Sequence, residues 1–292
     1  MNKILVYGGT GSQARPIVDH ALANGHLPIV VTRNASSAAD LKALGATIVQ
    51  SNMSDALHLK EITQDIDTVS FLLPAFLGDG DDAAAFGRNV IDAAVACGVR
   101  NFIWNASGPI PDDISDAKAQ ILDYLQKSGL DWVVFEPTTY MENWLGPWTA
   151  PFVIKDNEVS YPALEQVKMG WLASDDVGKL VVSAFEKEKL TNKRYNISGI
   201  EAPTGPELAK LFSVALGREI KYRAMTPEQM GDAIDQAFGA GVGERIAEMY
   251  RQEQNDPDPE PKFHDMEEVL DIFPVKMTTI EDWVRGHQNA FK

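Results

Sequence analysis

The sequence predicts an α/β fold: a doubly wound parallel sheet with a smaller C-terminal α+β lobe. Three observations carry this. The chain opens as strand, glycine turn and helix over Lys3–Ala14, KILVYGGTGSQA. Short apolar, β-favouring runs then alternate with amphipathic stretches as far as Pro137. That alternation implies right-handed crossovers and a parallel sheet covered on both faces. Beyond Pro137 the texture changes to an aromatic-rich segment broken by Gly146, Pro147, Pro151 and Pro162.

The first strand is Ile4 to Tyr7. Gly8, Gly9, Thr10 and Gly11 turn the chain into a helix expected over Ser12–Leu22, which stops at Asn24-Gly25. Pro16 falls in its first turn, where a missing N–H does little harm. Gly9, Gly11 and Ala14 fit G-x-G-x-x-G/A, while Gly8, Gly11 and Ala14 fit the looser G-x-x-G-x-x-A. In such a turn one small residue lets the chain reverse, the next lets backbone approach a pyrophosphate, and the third lets the helix sit against the strand. Free N–H groups and the helix dipole then attract phosphate. Gly8, Thr10, Gly11, Ser12, Gln13 and Ala14 are therefore the expected cradle of a dinucleotide, the plainer alternative being an ordinary tight turn.

The second strand, Leu27–Val31, ends in Thr32-Arg33-Asn34, and a helix is expected over Ser36–Leu44, closed by Gly45. A carboxylate here would hold the ribose diol of NAD, whereas a cation would hold the 2′-phosphate of NADP. Arg33 is that cation, with Asn34 beside it, and no Asp or Glu closes the strand. The alternative is a solvent-facing arginine. Strand three is Ala46–Gln50; after it Asn52 and Met53 are expected at the adenine, or else form a plain turn with Ser54 or Asp55 capping a helix to Gln64. Strand four, Asp67–Leu73, leads to Pro74-Ala75-Phe76 and a Gly/Asp-rich loop, Gly78–Asp82. A helix over Ala83–Cys97, strand five over Arg100–Trp104, a helix over Ser115–Lys127 and strand six over Asp131–Phe135 complete the alternation. Ligands bind such sheets at the carboxyl ends of the strands. Gly8–Gly11, Arg33, Asn52, Leu73–Ala75, Asn105, Ala106, Ser107 and Pro137–Tyr140 are thus expected to converge on one crevice.

Past Pro137, Tyr140, Trp144, Trp148, Phe152, Tyr161 and Trp171 read mostly as a small aromatic core, with one or two facing the cleft. Asp175–Lys187 reads as an amphipathic helix returning to the sheet, and Tyr195–Ile197 as a short strand. Capping boxes at Thr204/Glu207, Thr226/Gln229 and Thr278/Glu281 mark helix starts. A strand over Glu219–Arg223, a helix over Val242–Gln252 and a polar loop over Asn255–Pro261 lie between. The expected division is 1–142 with 171–190 as the NADP-binding domain, and 143–170 with 191–292 as the smaller substrate or partner lobe.

Composition narrows the function classes. A net charge of −16 repels nucleic acid and anionic membrane, and no basic patch offsets it. No apolar run approaches the ~18 residues of a membrane span. Met1-Asn2-Lys3 leads straight into strand one without a signal-peptide pattern, and the lone Cys97 reads as a buried structural thiol, so a cytoplasmic location is expected. The five histidines show no metal-ligand spacing, and no Gly-x-Ser-x-Gly elbow is present. A dinucleotide site and hydride transfer remain.

The chain resembles the NmrA-like branch of the atypical short-chain dehydrogenases/reductases over nearly its whole length. The likeness rests on Gly8-Gly9-Thr10-Gly11, Thr32-Arg33, Lys118 ahead of Tyr124-Leu125 and Ser128-Gly129-Leu130, and Pro137 with Tyr140-Met141-Glu142-Asn143. Ser174-Asp175-Asp176-Val177-Gly178, Thr204-Gly205-Pro206-Glu207-Leu208 and Glu281-Asp282-Trp283 extend it. The resemblance implies a Rossmann-like doubly wound parallel sheet and a preference for NADP(H). It implies a Lys118 near the nicotinamide ribose, against the plainer reading of a surface helical lysine. Members either reduce small molecules such as quinones or sense the cofactor and bind partner proteins. Two departures stand out. The wider superfamily pairs Lys with a Tyr four residues earlier, and here that position is Ile114. Glu136 stands where relatives commonly carry Arg before Pro137. The expected function is NADPH-dependent hydride transfer to a conjugated acceptor such as a quinone, with Lys118 and Tyr140 as catalytic residues. The alternatives are a cofactor-sensing regulator, and a carbonyl or imine reductase using Tyr140 or Ser107 as donor. The expected partners are a small-molecule acceptor and a protein partner or homodimer.

Overall fold

A computed structural model describes residues 1–74, 82–239 and 241–292. The chain forms two compact units, the first comprising Met1–Pro137, Ser174–Ile197 and Glu267–Lys276, the second Thr138–Ala173, Ser198–Met266 and Met277–Lys292. The strands are β1 (Lys3–Tyr7), β2 (Leu27–Thr32), β3 (Thr47–Gln50), β4 (Thr68–Leu72), β5 (Asn101–Asn105), β6 (Asp131–Pro137), β7 (Glu158–Tyr161), β8 (Lys193–Ile197) and β9 (Lys221–Ala224). The helices are α1 (Arg15–Ala23), α2 (Ala39–Ala43), α3 (Ala56–Ile62), α4 (Ala83–Ala96), α5 (Ala117–Gln126), α6 (Ala150–Lys155), α7 (Ser174–Phe185), α8 (Gly205–Leu216), α9 (Pro227–Phe238), α10 (Gly243–Gln254), α11 (Glu267–Ile272) and α12 (Ile280–Gly286). None among the described residues is long and apolar enough to cross a membrane.

The first unit is a seven-stranded sheet in the order β3-β2-β1-β4-β5-β6-β8, with every neighbouring pair parallel. Parallel strands covered on both faces need near-continuous apolar runs, and Ile4, Leu5 and Val6 are fully buried. On one face α3, α4 and α5 contribute Leu59, Val90, Ile91, Ile121 and Leu125 to a core with Tyr7, Phe71, Trp104 and Val134. Val31 points into that core, and its neighbour Val30 points to the opposite face, where Val18 of α1 lies. There α1 packs against α7 so closely that a Cβ on Gly178 would lie 2.8 Å from the Pro16 backbone. At the same crossing Asp175 takes a hydrogen bond with His20 and an ion pair with Lys179. Together they hold the Asp175 carboxyl well below its ordinary range, chiefly through the His20 hydrogen bond.

Several expectations shift here. The first helix starts at Arg15, because Ser12–Ala14 belong to the turn. The stretch after β2 splits into a 3-10 turn (Ala35–Ala38) and α2. The strand expected at Tyr195–Ile197 begins at Lys193 and pairs with β6 as the seventh strand, so it belongs with the sheet and not with the smaller lobe. Residues 267–276 join it there: Phe273 of this segment meets Phe135 and Tyr195 edge-on, with centroids 5.4 and 5.8 Å apart. Cys97 is half-buried at the end of α4, with Sγ 3.3 Å from the Lys60 carbonyl, so it is no core thiol. Ala75, Phe76 and Gly78–Asp81 lie outside the described residues, while Asp82 caps α4 by accepting from the Ala85 N–H.

The second unit holds a two-stranded parallel pair, β7-β9, and helices α6, α8, α9, α10 and α12. Its aromatic segment is core: Trp144, Trp171 and Tyr161 are buried, with the Trp144 and Trp171 ring centroids 4.6 Å apart. The boxes at Thr204 and Thr226 cap α8 and α9. The last helix is capped one residue later than expected, by Thr279 accepting from the Asp282 N–H.

The α1–α7 crossing yields a prediction. Gly178→Val must displace backbone, so urea unfolding should show a stability loss of about 1–3 kcal/mol at unchanged m-value.

Candidate functional site

The β1–α1 turn assigns each small residue a task. Gly8 has φ +76°, in the left-handed region, and a Cβ there would lie 2.9 Å from Leu72 Cδ2. It is the residue that makes the turn, closed by the Gly11 N–H donating to the Gly8 carbonyl at 2.8 Å. Gly9 serves packing instead, since its Cβ would lie 3.0 Å from both Val18 and Val30. Ala14 is fully buried under the helix start. A Cβ on Gly11 would meet only the Gly8 oxygen, at 3.4 Å, so this glycine keeps the cleft side open. The pattern that operates is therefore Gly8, Gly11 and Ala14. The backbone N–H groups of Ser12 and Gln13 have no acceptor among the described residues, and both residues face the cleft.

That cleft holds about 320 Å³ and lies at the carboxyl ends of β1 to β5. Because β2 lies on one side of β1 and β4 on the other, the winding direction reverses here, which opens a crevice above the sheet. Eleven expected residues line it: Gly8, Thr10, Gly11, Ser12, Gln13, Arg33, Asn52, Met53, Leu73, Pro74 and Ser107. Tyr7, Val31, Thr32, Ser51, Leu72 and Phe86 line it too. Most of these additional residues end strands one or two positions before an expected site residue, and that adjacency is the signal that would have found them.

The electrostatics are selective. Arg33 makes no hydrogen bond or ion pair with any described residue, whereas Arg15 nearby is held by Asp19 and Asp40. The Gln13 Oε1 and Ser51 Oγ atoms are buried in the wall without partners. Buried polar atoms are normally satisfied, so an orphan pair in a cleft invites a polar ligand. Asn52 does two tasks: it lines the cleft, and its Oδ1 accepts from the Ser54 N–H at 3.2 Å, with Asp55 capping α3. Asn34 does not line the cleft; its Oδ1 accepts from the Ser36 N–H at 3.0 Å and caps the 3-10 turn.

The remaining expected residues do not line the cleft. Asn105 and Ala106 are buried at the end of β5, and Asn105 Oδ1 accepts from the Ser107 N–H at 3.0 Å. Ser107 itself has φ +56°, a strained value for a residue with a Cβ. Pro137 is buried at the end of β6. Lys118 lies in the first turn of α5, half-buried, with Nζ donating to the Pro109 carbonyl at 3.4 Å. A cation is disfavoured at a helix N-terminus, so helix stability does not account for it. Burial pushes its pKa down, opposed by Asp116 and Glu136. Ile114, four residues earlier, is 60% exposed. Tyr140 belongs to the second unit, where its backbone bridges to Leu172.

Fold and turn define a Rossmann-like α/β protein with a nucleotide-sized crevice at its switch point. The chain belongs to the NmrA-like family, whose pattern matches residues 1–284. It is 28% identical over 250 residues to an NAD(P)H azoreductase of Xenophilus azovorans, covering 84% of each chain. Its fold is similar to the Escherichia coli NADPH-dependent quinone oxidoreductase QOR2 solved with NADPH (TM-score 0.76, 20% identity, 98% and 99% of the two chains). It is equally similar to NmrA, a negative transcriptional regulator solved with NADP (TM-score 0.77, 18% identity, 97% and 94%).

The two cleft glycines should respond differently to alanine. Gly8→Ala must hold a Cβ at positive φ and should cost about 1–2 kcal/mol in urea unfolding. Gly11→Ala has room and should stay within about 0.5 kcal/mol of the parent.

Proposed function

We propose that this protein is an NADPH-dependent oxidoreductase that transfers hydride to a small conjugated acceptor such as a quinone. The observation that carries the cofactor reading is Arg33 beyond β2, without a partner among the described residues, in a cleft whose glycine turn presents amides that also have none there. In this reading the Ser12 and Gln13 amides and the α1 N-terminus bind the pyrophosphate. Arg33 binds the 2′-phosphate, and Asn52 and Met53 take the adenine. Leu73, Pro74, Asn105, Ala106 and Pro137 border the nicotinamide half. NADPH supplies a hydride when bound. Lys118 orients the nicotinamide ribose by donating hydrogen bonds to it. With Ile114 where a phenol would stand, no proton donor is paired with Lys118. A quinone accepts hydride as a delocalised anion and takes its proton from water, and Tyr140 is the candidate donor for other acceptors.

The support for reduction comes from the azoreductase relative and the quinone oxidoreductase fold, both named for conjugated acceptors. It does not come from the aromatic segment after Pro137, since Trp144, Trp148, Tyr161 and Trp171 fill the core of the second unit. A cofactor-sensing role that needs a protein partner is the second reading, favoured by the likeness to NmrA.

Calorimetry should find NADPH bound more tightly than NADH. Arg33→Ala should remove most of that preference, a charge-assisted contact worth about 1.5–3 kcal/mol. Equal affinities in the parent protein would defeat the assignment. Simple quinones should stimulate NADPH oxidation; tight NADP(H) binding without turnover across a broad acceptor screen would transfer the case to the sensor. Lys118→Ala should slow single-turnover hydride transfer to every acceptor, by up to ~10²-fold, with a modest loss of NADPH affinity.

A further inference from the structure

Glu136 is the penultimate residue of β6 and only 3% exposed. A carboxylate so buried needs partners, and it has three hydrogen bonds. Arg194 of β8 donates from Nε to Oε1 at 2.5 Å and from a terminal nitrogen to Oε2 at 2.9 Å. The Ile110 N–H donates to Oε2 at 2.7 Å. Arg194 also donates to the Ile110 carbonyl at 2.9 Å, so the ion pair grips Ile110 by both its backbone polar groups.

The Ile110 N–H and the Pro109 C=O belong to one planar trans peptide, so they point in opposite directions from the same rigid plate. Glu136 holds the N–H edge. Lys118 Nζ rests on the C=O edge, at 3.4 Å. Rotating that peptide to release one edge must move the other. The charges around Lys118 are Asp116 on its own helix and Glu136 from β6, the latter in turn paired with Arg194, which has Asp112 at 3.9 Å.

We propose that Glu136 and Arg194 are positioning residues for Lys118: by clamping the Pro109–Ile110 peptide they aim the carbonyl on which the Lys118 ammonium rests. This rests on the ribose-orienting role proposed for Lys118, but the clamp itself is a property of the chain alone. It predicts that hydride transfer is sensitive to a pair that touches neither cofactor nor acceptor.

The experiment uses the full chain with Glu136→Gln, which keeps shape and removes charge, and Arg194→Lys, which keeps charge and removes the fork. The first readout needs no cofactor. Acetic anhydride labelling of Lys118 at pH 8, followed by peptide mass spectrometry, should speed up at least threefold in both variants. Lys127, at the far end of the same helix and 71% exposed in its side chain, should label at the parent rate and serves as the control. The second readout is single-turnover oxidation of bound NADPH by a simple quinone. It should slow about tenfold or more, while the calorimetric affinity for NADPH changes less than threefold. Parent-rate labelling of Lys118 in both variants would overturn the clamp, as would transfer rates within twofold of the parent. Faster labelling in a protein whose parent form oxidises no NADPH would leave the clamp standing and remove the reductase reading instead.

Discussion

One backbone torsion governs the nucleotide end of the sheet. At Gly8 the chain must leave β1 with φ +76° and pass within van der Waals distance of Leu72 at the end of β4. Only a residue without a Cβ does both without strain. The turn that results sets α1 over the carboxyl end of β1, and Gly9 and Ala14 let that helix settle onto the sheet. Gly178 of α7 extends the same constraint one layer further, since α7 abuts the first turn of α1 at Pro16. Five small or ring-closed residues, 170 positions apart in sequence at the extremes, thus fix where two free amides point.

How much of this was legible depends on whether the cause was local. The strand–turn–helix at Lys3–Ala14 was legible because apolar run, glycines and helix start are adjacent. So was the crevice, because parallel strands bring their carboxyl ends, and the turns that follow them, to one edge of the sheet, where most of its lining residues sit. Features made by distant partners were not legible. β8 was read only from Tyr195, since Lys193 and Arg194 are exposed polar residues whose strand conformation comes from pairing with β6. β7 is four residues long and takes its state from β9, sixty residues on. The Glu136–Arg194 pair spans 58 residues, and nothing near Glu136 announces it. The capping role of Asn34 was not legible, because a short polar side chain after a strand serves equally well in a cap or a site, and here its Oδ1 accepts from the Ser36 N–H. The aromatic residues after Pro137 illustrate the general default: large rings are buried far more often than they are displayed.

The charge distribution answers a question that composition raises. A chain of net charge −16 is a poor host for a polyanion at long range. At about 8 Å of screening length, however, only neighbours matter at physiological salt. Arg15, Arg194, Arg223, Arg251 and Arg285 each lie against one or more carboxylates, while Arg33 has none among the described residues. Arg100, Arg218 and Arg245 also have no carboxylate against them among the described residues, but of these four only Arg33 lines the cleft, so an anion arriving there meets a guanidinium not already neutralised.

The sheet unit is written in three separate stretches of chain, the last ending at Lys276. During vectorial synthesis at about 5–20 residues per second, β1 to β6 leave the ribosome first, with the outer edge of β6 bare. β8 arrives some fifty-five residues after β6 ends, and Phe273, which packs on Phe135 and Tyr195, arrives later still. For several seconds the nascent chain therefore carries an open strand edge and an exposed aromatic face, the two features that recruit holding chaperones or wrong neighbours. The same arrangement means that a frameshift or stop near the C-terminus damages the nucleotide-binding layer as well as the unit in which it falls.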